Sequence, residues 1–183
     1  MVGRLTLVAA ALTAALVAAV AARAAGVTVN ATVVGGSTLT VTPMNSPSFP
    51  DTLNGDDQTA TYQAQLQVVD ARGLGTGGGW NLTLTSTQYS DGAGHTLPAS
   101  ASTITSVTSG CHSGSTCATP ANSAPNTNVA LPISPTTTKI LNAASGSGLG
   151  RIDVAVNVSV GIPANTIAAT YSSTLTVAIA AGP

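Results

Sequence analysis

Charged residues are scarce in this 183-residue chain. Only 6% of its residues are charged, glutamate is absent, and five cations stand against six aspartates. An ordinary soluble domain carries about 25% charged residues. So few lysines and arginines cannot neutralise a run of phosphates or form a basic patch, which argues against binding to nucleic acid or to an anionic membrane surface. The shortage of Glu and Lys beside abundant Thr and Val disfavours helices and favours strands.

Recognisable catalytic patterns are missing as well. The chain has two histidines, His95 and His112, and contains neither a G-x-S-x-G nor an H-E-x-x-H motif. We therefore predict a protein that is not an enzyme, with no catalytic residues and no cofactor. In one acidic loop a calcium site remains an alternative to an Asx-rich turn. Its oxygen ligands would be Asp51, Asn54, Asp56 and Asp57.

The first 24 residues have the pattern of a secretory signal peptide. Arg4 precedes an apolar run, Leu5–Ala22, and Ala22-Arg23-Ala24 fits the small-residue rule for cleavage. The run also reaches the ~18 residues of a membrane span, so an uncleaved anchor is the alternative. Because alanine is only weakly hydrophobic, we predict cleavage, a mature chain of residues 25–183, and no stable membrane span after processing. The protein is thus expected outside the cell.

Cysteine is limited to Cys111 and Cys117. In an exported chain an even number of cysteines indicates a disulfide, which here closes the short loop "CHSGSTC". The alternative is a metal site that adds His112 to the two thiols. Two Cys and one His fall short of the four ligands of structural zinc, and the spacing is not that of a zinc knuckle. We predict the disulfide and no metal.

Alternation of apolar and polar residues dominates the mature chain. The clearest case is "GRIDVAVNVSVGIP" (150–163), where Ile152, Val154, Val156, Val158 and Val160 share one face. Several such segments separated by turn residues predict one all-β domain, an antiparallel β-sandwich that is Ig-like in general architecture. A loop-rich insertion, 90–138, contains short candidate strands at 102–107 and 128–133. The other predicted strands are 27–34, 38–42, 59–70, 80–89 and 171–180.

One glycine-rich stretch, "GLGTGGGWNLTLT" (73–85), could cradle a ligand or lead into a strand. A phosphate-binding glycine loop opens a helix, whereas these glycines precede an alternating strand, so we predict a structural turn with positive φ angles. Trp80 then either fills the centre of a sandwich core or belongs to a carbohydrate-stacking or partner surface. Arg72 either pins this loop, with Asp70 as one candidate partner, or contacts a ligand.

The same stretch resembles the WxL-domain proteins of Gram-positive bacterial surfaces. In that family a strand ending in Asp-x-Arg-Gly runs through glycines into Trp-x-Leu. The matching residues are Asp70, Arg72, Gly73, Gly79, Trp80 and Leu82. The family's ending, a proline-containing turn followed by Tyr-x-x-x-Leu-Thr and a second Trp-x-Leu, is matched at Pro163, Tyr171, Leu175 and Thr176. Val177-Ala178-Ile179 replaces the second Trp-x-Leu. The similarity covers residues 37–183 except 90–138.

The resemblance implies a secreted domain that attaches non-covalently to the cell wall, through peptidoglycan. Trp80, Leu82, Asp70 and Arg72 are the binding residues that it suggests. The first hypothesis is therefore a surface module that adheres to cell-wall polymer or to a companion surface protein. The second is a self-assembling subunit of an extracellular filament or surface layer, in which the N-terminal strand "GVTVNATVV" completes a neighbour's sheet.

Overall fold

The computed structural model describes residues 28–122, 124 and 127–183. The chain divides into a short N-terminal unit, Met1–Thr32, and a main unit, Val33–Pro183. The predicted signal peptide lies outside the described residues. These contain no helix that is long and apolar enough to cross a membrane. The strands are β1 (Leu39–Pro43), β2 (Gln58–Asp70), β3 (Trp80–Ser86), β4 (Ser102–Cys111), β5 (Val129–Ala130), β6 (Thr138–Ala143), β7 (Gly150–Ile162) and β8 (Leu175–Ala181).

The strands form two antiparallel sheets. One sheet has five strands in the order β1-β2-β7-β4-β5, and the other has three in the order β6-β3-β8. Both sheets contribute to a single hydrophobic core, with Val68 and Val156 from the larger sheet and Leu82 and Ile140 from the smaller. The predicted all-β sandwich is therefore confirmed.

The β2–β7 pair is the centre of the larger sheet. Thirteen residue pairs run in unbroken register from Gln58↔Ile162 to Asp70↔Gly150. The inward residues of β7 are at most 1% exposed, as the alternating pattern predicts, while most outward positions carry polar side chains. Fully burying one valine side chain contributes about 1.5–3 kcal/mol, so this face stabilises the domain strongly. The buried face of β7 consists of Ile152, Val154, Val156, Val158 and Val160.

One predicted strand is wrong, and one observed strand was not predicted. Residues 28–34 lie in no strand, and Val29, Val33 and Val34 are 84–92% exposed, so the prediction of a strand over the described part of 27–34 is wrong. Alternation alone cannot make a strand, because a strand also needs a partner for its backbone groups. In contrast, β6 was not predicted. Its residues 140–143 are all buried, and a register shift opposite Leu82/Thr83 interrupts the alternation that would have revealed it.

The 90–138 stretch contributes more sheet than its composition suggested. The candidate strand at 102–107 extends to Cys111 and pairs with the central strand β7. The candidate at 128–133 is reduced to Val129–Ala130, which pairs with β4. The stretch therefore completes one side of the larger sheet.

Candidate functional site

The loop between β2 and β3, residues 71–79, links the two sheets and carries the first motif. Asp70 at its start is 2% exposed and accepts hydrogen bonds from Nε (2.9 Å), Nη2 (2.8 Å) and the backbone N–H (3.1 Å) of Arg72. The Nη2 group also donates to the carbonyl of Gly79 (2.9 Å), directly before β3. One guanidinium thus ties both ends of the loop together, and Asp70 is its partner.

The electrostatics of this pair agree with its geometry. Burial by itself would raise the pKa of Asp70, but the hydrogen bonds from Arg72 outweigh burial and lower it. The hydrogen bonds to Asp70 raise the pKa of Arg72 in turn. The pair therefore stays ionised, and a bidentate carboxylate–guanidinium contact favours a single loop conformation.

Trp80 and Leu82 lie in the core. Both are 0% exposed, and the indole Nε1 of Trp80 donates a hydrogen bond to the carbonyl of Gly148 (2.9 Å). The glycine that precedes Trp80, Gly79, has a φ of +122°, as expected for a turn with positive φ angles. Of the two interpretations of Trp80, its burial favours the core residue. A sugar could stack on this ring only if the sandwich opened.

The C-terminal strand lies beside the first motif. In the β3–β8 pair, Leu82 faces Ile179 and Leu84 faces Val177, so the residues that replace the second Trp-x-Leu flank the first one. Asn81 donates to the carbonyl of Gly182 (2.9 Å), which fastens the end of the chain. The family's two motif regions, far apart in sequence, are thus neighbouring strands of one sheet.

The predicted disulfide between Cys111 and Cys117 is present. Its formation overturns the alternative of a metal held by these thiols and His112. The imidazole Nδ1 of His112 instead lies 2.9 Å from Asp153 Oδ2 and 3.2 Å from the amide nitrogen of Gln67. These three polar residues form a small network on the outer face of the larger sheet, over the central β2–β7 pair.

The acidic loop does not gather its oxygens around one point. Asn54 accepts from the backbone N–H of Asp56 (2.9 Å), which is an Asx turn, and Asp57 accepts from the backbone N–H of Ala164 (2.8 Å) in a distant loop. Asp51 accepts from the N–H of Thr52 (2.9 Å). No group of three or more metal-ligating side chains occurs among the described residues.

A cavity of about 680 Å³ opens at the side of the sandwich where β1 and β8 run. Four aromatic residues line it, and we call it the aromatic cavity: Phe49, Tyr62, Tyr89 and Tyr171. Phe49 stacks on Tyr62 with ring centroids 5.8 Å apart and meets Tyr89 edge-on at 6.3 Å. These are all the aromatic residues of the chain except Trp80. Sequence reasoning missed this site, because its residues come from four separate segments and form no local motif.

The aromatic cavity is uncharged. Its lining residues include none of the charged types, and its mouth carries hydroxyl and amide side chains such as Asn45, Ser46 and Thr170. Burial, together with the neighbouring Tyr89, raises the pKa of Tyr62, and burial raises the pKa of Tyr89. Both phenols are therefore neutral at physiological pH and keep their hydroxyl protons as possible donors.

Loop contacts hold the walls of the cavity. Asn45 accepts from the N–H of Gln65 (2.8 Å) and donates to the carbonyl of Gln63 (2.9 Å), so the segment after β1 stays beside β2. On the other wall, Ser90 and Ser172 exchange backbone hydrogen bonds of 3.0 and 2.9 Å. The cavity is thus preformed by hydrogen-bonded backbone on two sides.

Comparison with known proteins identifies the family. A family model described as "WxL domain surface cell wall-binding" matches residues 22–183, a range that includes the 90–138 stretch. Searches of curated proteins and of solved structures return no match. The matched family is one of cell-wall binding and not a family of enzymes. With the Asp70–Leu82 motif in place and the match spanning most of the sequence, this chain belongs to the WxL domain family of surface, cell-wall-binding domains.

Proposed function

We propose that this protein is exported and attaches non-covalently to the bacterial cell wall, through the uncharged glycan strands of peptidoglycan. The distribution of cations is the observation that supports an uncharged ligand. Of the three cations among the described residues, Arg72 is paired with Asp70. Lys139 and Arg151 lie on strands of different sheets. Anionic wall polymers would need a cluster of cations that the described surface does not offer.

In this proposal the family motif acts by positioning. Asp70 and Arg72 hold the loop between the two sheets, while Trp80 and Leu82 anchor the strand that follows it. Trp80 and Leu82 are buried, so they support the wall-binding surface from beneath. Their replacement is therefore expected to weaken wall binding through loss of structure.

The salt dependence of wall binding tests the proposal. Chain 25–183 is mixed with purified sacculi, either intact or stripped of secondary polymers, and pelleted at low and at high salt. Attachment through ion pairs falls steeply as salt screens the charges, whereas attachment to neutral glycan persists. We expect equal pelleting on both kinds of sacculi at both salt concentrations.

Other results would exclude parts of the proposal. Loss of pelleting at high salt, or on stripped sacculi, would identify an anionic secondary polymer as the target. No pelleting under any condition would contradict wall attachment and would favour a companion surface protein as the partner.

A filament subunit remains a second candidate function, supported by the N-terminal segment. Residues 28–34 alternate like a strand yet expose Val29, Val33 and Val34. Strand β8 is an edge strand of its sheet and carries no charged side chain. Charged side chains on an edge strand commonly prevent it from pairing with another chain, and β8 has none. Replacing the three valines by serine should abolish any polymers seen by sedimentation and negative-stain microscopy. Polymers that survive the replacement would exclude strand donation by this segment.

A further inference from the structure

We propose that the aromatic cavity is the binding site for a neutral, N-acetylated glycan chain of the cell wall. The inference rests on the proposed function for the class of polymer, and on the cavity itself for the place. Its volume of about 680 Å³ lies within the range of about 300–1,000 Å³ that is typical of ligand sites.

The concentration of aromatic residues is the first argument. Only 3% of the chain is aromatic, yet four of its five aromatic side chains converge on this one cavity from four segments. Each of the four is only partly buried, in contrast to Trp80. An aromatic side chain stabilises a fold through the apolar area that it buries, so the exposed part of each ring adds nothing to the stability of the core. Partly exposed rings in a cavity provide a flat apolar surface to a ligand.

The chemistry of the rest of the lining indicates the class of ligand. Apolar groups, including Ala64, Leu66 and Val177, form part of the interior, whereas Ser46, Ser48 and Thr170 offer hydroxyls. A hexose has an apolar face of C–H groups and an edge of hydroxyls, and an N-acetyl group adds a methyl group and an amide. Such a ligand can satisfy both kinds of lining. An ionic ligand would find no counter-charge in the cavity.

The aromatic cavity is formed before any ligand binds. It opens on the side of the sandwich, and its walls are two loops, residues 44–57 and 163–174, that join the ends of strands. Hydrogen bonds between Asn45 and β2, and between Ser90 and Ser172, hold these walls before any ligand binds. A preformed site loses less conformational entropy on binding than a mobile one.

The test uses chitotetraose, an uncharged oligomer of N-acetylglucosamine, as the probe for the glycan. Ser46 lines the mouth and is exposed, so Ser46→Trp blocks the entrance without removing a core residue. Ser113 is an exposed serine in the disulfide loop that does not line the cavity, and Ser113→Trp is the matched control. A second variant, Phe49→Ala, removes the ring that joins Tyr62 and Tyr89. Unfolding midpoints establish that each variant is folded under the conditions of the assay.

We expect Ser46→Trp and Phe49→Ala to weaken binding of chitotetraose at least tenfold by calorimetry, and to reduce pelleting with sacculi in parallel. Ser113→Trp should bind chitotetraose and sacculi as the unaltered chain does. If chitotetraose binds equally to all four proteins, the glycan site lies elsewhere and this proposal fails while wall attachment stands. If the chain pellets with sacculi but binds no chitotetraose, the ligand class is wrong. If a synthetic peptide of residues 25–36 binds in the cavity and chitotetraose does not, the ligand of the cavity is a strand from a second copy of this chain.

Discussion

The contact between Trp80 and Gly148 yields the sharpest prediction about the core. Gly148 has a φ of +74°, its N–H donates to the carbonyl of Ala118 (2.8 Å), and its own carbonyl accepts the indole N–H. A Cβ at this position would collide with the side chain of Ala143 and with Nε1 and Cε2 of Trp80. Gly146 is two residues earlier, with a φ of +81° and open space where a Cβ would lie. The two glycines thus share a backbone conformation and differ in their surroundings.

The magnitudes follow from that difference. Placing alanine in a left-handed conformation costs about 1–2 kcal/mol, and both variants incur this cost. Overpacking a well-filled core adds about 1–3 kcal/mol, and only Gly148→Ala incurs that. We expect Gly146→Ala to lower the free energy of unfolding by about 1–2 kcal/mol and Gly148→Ala by roughly 2–5 kcal/mol.

The assay is urea unfolding followed by the fluorescence of Trp80, the single tryptophan, which both variants retain. Its emission should shift to the red as the buried ring reaches water. Equal losses of stability in the two variants would show that Gly148 does not press against the indole. The assignment of Trp80 to a tightly packed core would then fail.

Two further predictions concern the motif. Trp80→Phe should lower the free energy of unfolding by about 1–3 kcal/mol, because the buried carbonyl of Gly148 loses its donor. Trp80→Ala should lower it by about 3–5 kcal/mol. Unchanged stability of Trp80→Ala with loss of wall binding would contradict the core assignment. Because the pKa of Asp70 is lower in the folded chain, its contribution to stability is complete above the unfolded pKa of about 3.9 and is lost as pH falls through the folded value. Asp70→Asn should therefore lower the free energy of unfolding by roughly 3 kcal/mol at pH 7. Urea titrations at pH 2–7 should also show that the stability of this variant depends less on acid. The control Asp153→Asn, at an exposed carboxylate, should change stability little at pH 7. Equal acid dependence in Asp70→Asn and the unaltered chain would contradict the ion pair.

The sequence predicted the fold well where apolar and polar residues alternate along a strand that has one buried and one outward face. In β7, apolar side chains at every second position enter the core and the intervening residues face outward. The pattern failed in two places for opposite reasons. Residues 28–34 alternate without forming a strand, and β6 forms a strand without alternation, because a register shift in its pairing leaves four successive residues buried.

The candidate site was predicted only in part. The even number of cysteines, together with the expectation of an exported chain, was enough to predict the disulfide between Cys111 and Cys117. The contact of Arg72 with Asp70 was one of several options, and its second contact, with the carbonyl of Gly79, depends on the path of the loop. The aromatic cavity was not predicted, because Phe49 and Tyr171 are more than a hundred residues apart and nothing local connects them.

By itself, the sequence determined the class of fold, the disulfide and the family. Each depends on residue type and short spacing: two-residue periodicity, a six-residue separation of cysteines, and the Asp-x-Arg-Gly to Trp-x-Leu motif. The tertiary structure decided which strands pair, that Trp80 is buried, and that four scattered aromatic rings share one uncharged cavity. These features depend on contacts between distant residues, which form only when both sheets close over a common core.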